Sequence, residues 1–209
     1  MQKNTGLRSL LALPVVYRLT NFVFSKPKFI RWFLDTIIDV RDGQKLVDIG
    51  CGPADILADL GQAVEYVGLD ISTAYIDAAR ERYGARGLFI AGSVNEWVAD
   101  ARISGADVVL CYGLLHHVDD LEATQILRFA HRILAPGGRL VFLEPCYLIW
   151  QSQRSVFMMS KDRGQNIRTE RQWKSLVTPI FAETVTNIVT SGNRLGYTHI
   201  VGQCTKSIA

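Results

Sequence analysis

Between residues 45 and 144 the chain alternates between two hydrophobic periodicities, and that alternation constrains its fold more than any other feature. Short apolar runs occupy Lys45–Gly50, Glu65–Asp70, Gly87–Gly92, Ala106–Tyr112 and Arg139–Glu144. Runs of this length, rich in Val, Ile, Leu and Phe and closed by Gly or Asp, read as buried strands. The intervening segments Pro53–Leu60, Ser72–Tyr83 and Leu121–Ala135 carry apolar residues at helical spacing. Pro53 suits a first helical turn, Ser72 and the pair Asp119-Asp120 suit N-caps, and Pro136-Gly137-Gly138 is a strong terminator. Strands alternating with helices in this way predict a doubly wound, mostly parallel α/β sheet with helices on both faces. Right-handed crossovers then gather the loops after each strand on one edge, where ligands bind.

The flanking segments read differently. Residues 6–40 predict two helices broken near Ser25-Lys26-Pro27, and residues 145–168 look irregular, with several aromatics and Met. A helix is expected from Thr169, with Gln172 completing a capping box. Ala182–Thr190 and Leu195–Cys204 both alternate and flank Ser191-Gly192-Asn193, so they predict a closing antiparallel hairpin. With 209 residues, one domain is expected. An apolar content of 48% and a charged content of 21% supply a sizeable core and exclude overall disorder. The most apolar terminal stretch, Leu10–Tyr17, contains Pro14 and is shorter than the ~18–20 residues of a membrane span; no small-residue cleavage site follows it. Cys51, Cys111, Cys146 and Cys204 are widely separated and form no C-x-x-C pair. They predict core thiols in a reduced, cytoplasmic setting, with no disulfide framework and no metal site.

The stretch Val47-Asp48-Ile49-Gly50-Cys51-Gly52-Pro53-Ala54-Asp55 carries the chemistry. A strand ends, two glycines follow one residue apart, and a helix is expected to start. Glycine lets the backbone pass close under a ligand. Asp48 precedes the turn and offers acceptors to an amino or cationic group. Asp70 ends the next strand, where a carboxylate can grip both hydroxyls of a ribose. The dinucleotide fingerprint G-x-G-x-x-G fails because Asp55 stands at its sixth position. Asp48 and Asp55 also oppose a pyrophosphate at a helix N-terminus. The loop suits a nucleoside with an amino-bearing, positively charged sulfur tail.

Together these motifs resemble the class I S-adenosylmethionine-dependent methyltransferases over residues 44–145. Asp48-x-Gly50-x-Gly52 resembles the family's first motif, with Ala54 where a third glycine usually stands. Asp70 matches its ribose-binding acid, with Ile71 beside the adenine. Gly92-Ser93-Val94 matches the segment after the third strand, Ser93 standing where Asp is common. Leu114-Leu115-His116-His117 and Leu134-Ala135-Pro136-Gly137-Gly138 are also typical. The resemblance implies a seven-stranded sheet and S-adenosylmethionine as cofactor, leaving as S-adenosylhomocysteine. It implies cofactor contacts at Asp48, Gly50, Gly52, Asp70, Ile71, Ser93, Val94 and Cys111, with Tyr17 reaching the methionine end. The single domain then divides into a helical cap (1–43), a cofactor core (44–145), an acceptor lid (146–180) and the closing hairpin (181–209).

Methyl transfer brings a nucleophile in line with the methyl–sulfur bond and excludes water. A hydroxyl nucleophile needs a base, and His116 or His117, just past the fourth strand, are the candidates. The acceptor lid would include Trp150, Phe157, Met158, Met159, Arg163, Arg168 and Trp173; Arg163 and Arg168 would suit an anionic group on the acceptor, with solvated surface as the alternative. A small-molecule, glycan or lipid-linked acceptor, methylated at oxygen, is the expected substrate. Methylation of RNA or protein, or a cofactor-binding regulatory role without turnover, are the alternatives. Residues 1–41 hold seven basic and two acidic residues, 42–150 eight and fifteen, and 151–209 eight and three. Basic ends around an acidic centre suit weak peripheral membrane contact, and a nucleic-acid partner is not expected.

Overall fold

The computed structural model of the chain describes residues 27–98, 100–190 and 196–208. Its main sheet runs in the order β3-β2-β1-β4-β5-β8-β7. The parallel strands are β1 (Lys45–Ile49), β2 (Glu65–Asp70), β3 (Leu88–Ala91), β4 (Ala106–Tyr112) and β5 (Leu134–Tyr147). β8 (His199–Thr205) inserts antiparallel between β5 and β7 (Glu183–Val189). A two-residue strand, β6 (Arg168–Thr169), pairs with the far end of β5, away from the main path. The seven-stranded sheet and antiparallel closing pair are as expected; β6 is additional.

The strands show why the sheet is covered twice. Val47 and Ile49 of β1, Val67 and Leu69 of β2, Val109 and Cys111 of β4, and Leu140 and Phe142 of β5 face one core. Leu46, Tyr66, Val108, Leu110, Val141 and Leu143 alternate with them into a second core. The first core is closed by α4 (Asp120–Ile133) through Ala123, Leu127 and Ala130, and by α6 (Glu170–Val177) through Trp173 and Val177. The second is closed by α1 (Pro27–Trp32), the π-turn Phe33–Ile38 that continues it, and α2 (Thr73–Tyr83). The remaining helices are α3 (Val94–Trp97) and α5 (Gln153–Ser160).

Capping residues behave as read. Ser72 accepts the Tyr75 N–H at 3.3 Å, Asp119 accepts that of Glu122 at 2.9 Å, and Thr169 with Gln172 forms the capping box of α6. Three local expectations differ. Pro53–Leu60 contains no α-helix, only a 3₁₀ turn at Asp55–Asp59, because Ala54 is left-handed at φ 55°. Pro136-Gly137-Gly138 does not separate α4 from β5 but bulges out within β5, whose pairing jumps from Ala106↔Leu134 to Val108↔Arg139. Glycine is required there: a Cβ on Gly138 would lie 2.8 Å from the Ala106 carbonyl oxygen. Residues 145–168 are partly regular, holding the end of β5, α5 and Arg168 of β6. Of the two helices expected over 6–40, residues 1–26 lie outside the described residues, and so does Tyr17. The hairpin tip at 191–195 does so too.

Candidate cofactor and acceptor site

All the loops that matter lie at the C-terminal edge of the parallel strands. After β1 the backbone turns through Gly50 (φ 75°), Gly52 (φ 55°) and Ala54 (φ 55°). The Gly50 and Cys51 N–H groups donate to the Leu69 carbonyl at 2.7 and 3.0 Å, pinning the loop onto β2. A Cβ on Gly50 would sit 2.7 Å from the Leu114 side chain, so the glycine also admits the loop after β4. A non-glycine residue in the left-handed region costs roughly 1–2 kcal/mol. The buried Ala54 methyl offsets about 0.8 kcal/mol of that. Sequence reading treats position 54 as a question of room; the structure makes it one of backbone conformation.

Asp48 and Asp70 flank this loop. Asp70 ends β2 and accepts the Gly52 N–H at 2.9 Å on one oxygen and the Ser72 N–H at 2.8 Å on the other. A carboxylate has about four acceptor sites, so lone pairs remain on both oxygens. Burial raises its pKa, partly offset by those two N–H groups. Asp48 is buried, and its Oδ2 accepts the Tyr66 hydroxyl at 2.7 Å. Its Oδ1 is buried with no partner among the described residues. Burial pushes Asp48 up to about 7; the Tyr66 hydrogen bond opposes this and the nearby Asp70 charge adds to it. An orphaned carboxyl oxygen is costly unless something donates to it. An amino group supplies what is missing, so the residues present fit the expected cofactor. Tyr66 was not legible as a partner, and Gly68 explains how it fits: a Cβ there would meet the Tyr66 and Phe89 rings at 3.1 Å and Cys51 Sγ at 2.8 Å.

Other cofactor expectations divide. Ile71, 79% exposed, leaves an apolar side chain uncovered directly after Asp70. Val94 packs partly against the first core. Ser93 caps α3: its hydroxyl donates to Glu96 Oε2 at 2.8 Å and its N–H to the same oxygen at 2.6 Å, which leaves the hydroxyl oxygen able to accept. Cys111 is corrected: it is wholly buried in the first core, on the sheet face away from Asp48 and Asp70, and has no surface to offer a ligand.

The loop after β4 is organised by a residue that sequence reading missed. Glu144 in β5 is fully buried. Its Oε1 accepts the N–H groups of Leu114 (2.9 Å) and Leu115 (2.7 Å); its Oε2 accepts that of His116 (3.3 Å) and pairs with His116 Nδ1 at 2.7 Å. On the other side of the ring, His116 Nε2 lies 3.3 Å from Asp162 Oδ1. Burial works against a charge on His116, but hydrogen bonds to Asp162 and Glu144 outweigh it and raise the ring to about 9. Asp162 is held down to about 2, because the His116 contact outweighs its burial. Both ring nitrogens of His116 therefore face carboxylates, Nδ1 on Glu144 and Nε2 on Asp162, and neither is turned to an acceptor in this arrangement.

His117 differs. Its ring stacks beside His116 with centroids 4.0 Å apart, and its buried Nδ1 has no hydrogen-bond partner among the described residues. Burial, then the charge on His116, lowers its pKa to about 3. It is a neutral imidazole with a spare nitrogen, and a weak base.

The segment after α5 straps this loop in place. Asp162 Oδ2 accepts the Tyr197 hydroxyl at 3.1 Å, the Asn166 N–H donates to the His116 carbonyl at 3.0 Å, and a Cβ on Gly164 would lie 2.8 Å from His116 Nε2. Arg168 is buried and donates to the carbonyls of Leu115 (2.9 Å), Val118 (3.0 Å) and Asn166 (3.0 Å) and to Asp120 Oδ1 (2.8 Å). Its donors are consumed, which corrects the expectation that it binds an anionic acceptor. Arg163 hydrogen-bonds the Tyr75 hydroxyl of α2, bridging from the strap toward the cofactor side. Met159 and Trp173 are core residues, whereas Trp150 and Phe157 are exposed. His116, His117 and Asp162 present three ligand-type atoms within 4.8 Å of one another, a donor set invisible in sequence because Asp162 is far from the histidines along the chain.

Comparison with known proteins gives a consistent picture. Residues 47–140 match a family model described as a methyltransferase domain. The ubiquinone/menaquinone biosynthesis C-methyltransferase of Haemophilus ducreyi is 33% identical over 115 residues, 50% of this chain and 42% of that protein. The ubiquinone biosynthesis O-methyltransferase of Methylococcus capsulatus is 32% identical over 103 residues, 48% of this chain and 43% of that protein. The demethylmenaquinone methyltransferase of Bacillus cytotoxicus is 30% identical over 153 residues, covering 68% and 63%. The chain thus spans less than half the length of the first two relatives and under two thirds of the third. Among solved structures, an O-methyltransferase family protein from Burkholderia thailandensis superposes with a TM-score of 0.69 at 19% identity, covering 95% of this chain and 60% of that one. A phosphoethanolamine N-methyltransferase from Haemonchus contortus, in complex with phosphomonomethylethanolamine and S-adenosylhomocysteine, superposes at 0.73 and 13% identity, covering 98% and 61%. At these identities the superpositions establish the fold alone.

Proposed function

Because the chain belongs to the class I S-adenosylmethionine-dependent methyltransferases, we propose that it transfers a methyl group from that cofactor to an oxygen of a small-molecule, glycan or lipid-linked acceptor. The observation that carries this reading is the pair of buried carboxyl groups around the Gly50–Gly52 turn, one of them with an unpartnered oxygen. Asp70 is proposed to accept the ribose hydroxyls, Ile71 and Val94 to flank the adenine, and Asp48 with the Gly50–Gly52 backbone to receive the amino end. The bound cofactor supplies the electrophilic methyl group. The chain's own task is to align an acceptor with it and keep water out.

On the acceptor side, the spare nitrogen of His117 is proposed to take a hydrogen bond from the acceptor hydroxyl. His116, Glu144 and Asp162 fix where His117 stands. The relatives named for ubiquinone and menaquinone biosynthesis support a lipid-linked acceptor. No helix among the described residues is long and apolar enough to cross a membrane. Weak membrane contact is supported by Ile149, Trp150 and Phe157, which are exposed in the lid, with Lys161 5.3 Å from the Phe157 ring centre. Four free thiols suit a reducing cytoplasm.

The test is a thermal-shift comparison followed by a turnover screen. S-adenosylhomocysteine at about 100 times its Kd stabilises the protein by about 2.7 kcal/mol, and nicotinamide dinucleotides do not. A screen of hydroxylated and prenylated small molecules then shows acceptor-dependent S-adenosylhomocysteine release. Stabilisation by NAD and not by S-adenosylhomocysteine overturns the reading.

A further inference from the structure

We propose that His116, His117 and Asp162 form a binding site for a first-row divalent cation of the zinc type, leaving a coordination position open to the acceptor oxygen. The role of the acceptor oxygen rests on the methyltransferase reading; the ion site itself does not. Geometry is the main support. A tetrahedral ion with nitrogen and oxygen ligands at ~2.0–2.1 Å holds them about 3.3–3.4 Å apart. His116 Nε2 and Asp162 Oδ1 stand 3.3 Å apart, the edge of such a tetrahedron, and an ion entering between them displaces the Nε2 proton to solvent. The His117 donor atom completes a set in which all three lie within 4.8 Å.

The surroundings match what a bound ion needs from its outer shell. A metal-ligating imidazole hands its other N–H to a carboxylate, and His116 Nδ1 pairs with buried Glu144 at 2.7 Å. Ligating carboxylates are themselves hydrogen-bonded: Asp162 accepts the Gly164 N–H at 2.7 Å on Oδ1 and the Tyr197 hydroxyl at 3.1 Å on Oδ2. Gly164 lets its backbone pack directly against the His116 ring and so fixes where Nε2 stands, since a Cβ there would lie 2.8 Å from that nitrogen. The His117 Nδ1 atom has no protein partner among the described residues. Two imidazoles and one carboxylate with open positions suit zinc, iron(II) or manganese(II).

In the loaded site the His117 nitrogen holds the ion, and the acceptor hydroxyl meets the ion instead of the ring. A hydroxyl oxygen on such a cation gives up its proton far more readily than in water. Its O–H bond breaks, the proton leaves to solvent, and the electron pair stays on the oxygen that attacks the methyl group.

The experiment is a cobalt(II) and zinc(II) titration of the full chain after chelator treatment. Stoichiometric cobalt with visible d–d bands, displaced by zinc, is the expected result. His117→Gln and Asp162→Asn each weaken cobalt binding at least tenfold while S-adenosylhomocysteine still raises the melting temperature. Where Asp162→Asn fails that folding control, His117→Gln decides. Absence of stoichiometric binding, or binding unchanged in a folded variant, overturns the site. A protein that binds cobalt but not S-adenosylhomocysteine instead overturns the methyltransferase reading and leaves the ion site standing.

Discussion

At the scale of single residues, the most informative group is Asp48. Its pKa of about 7 in the free protein means that the folded state carries a proton the unfolded chain has already lost above pH ~4. Stability therefore falls as pH rises toward 7 and levels off above it. A cationic ligand favours the ionised carboxylate, so cofactor affinity rises as pH passes upward through about 7. Calorimetric titration of S-adenosylhomocysteine on either side of that value shows the rise, and Asp48→Asn flattens it. Asp70→Asn removes charge-assisted acceptors and weakens S-adenosylhomocysteine binding by about 1.5–3 kcal/mol, between roughly tenfold and a hundredfold or more in Kd; unchanged affinity removes Asp70 from the ribose. Both aspartates were legible because they stand at the ends of predicted strands beside glycine. Tyr66, which takes one oxygen of Asp48, was not: its ring reaches Asp48 only because Gly68 lacks a Cβ, a contact across two strands.

At the scale of elements, the strap from Lys161 to Arg168 is where sequence reasoning went furthest astray. Two arginines near a lid suggested recognition of an anion. One of them, Arg168, instead closes off the carbonyls at the end of the His116–His117 loop. Arg168→Gln leaves several buried acceptors unpaired, at ~1–3 kcal/mol each. With three carbonyls left short, we expect a total loss of at least about 3 kcal/mol, read as a lower denaturant midpoint at unchanged slope, with little change in acceptor KM. A raised KM at unchanged stability reverses the assignment. No local pattern announces such a role, because the partners lie about fifty positions earlier in the chain. The capping boxes and N-caps were readable for the opposite reason: Ser72, Asp119 and Thr169 each act on a group three residues away.

At the scale of the whole molecule, the alternation of apolar runs and helical segments foretold the parallel part of the sheet and its two-sided covering. It did so because each strand buries both faces and therefore reads as a continuous apolar run. The pairing of distant carboxyl groups and imidazoles at one edge follows from the crossovers and has no local signature. The placement of β8 between β5 and β7 has a further consequence, for synthesis rather than catalysis. β7 leaves the ribosome before the strand that joins it to the rest. Until β8 emerges, the long apolar edge of β5 stays open, with Leu140, Val141, Phe142 and Leu143 in a strand lacking its neighbour. Open edges of that kind template pairing with other chains. Polypeptides ending before residue 199 should therefore sediment as aggregates when translated without chaperones, while the same translation carried through residue 209 stays in the supernatant. The nascent chain's dangerous interval is the one between these two lengths, and synonymous codons that slow translation there should lower the yield of folded protein without changing a single side chain.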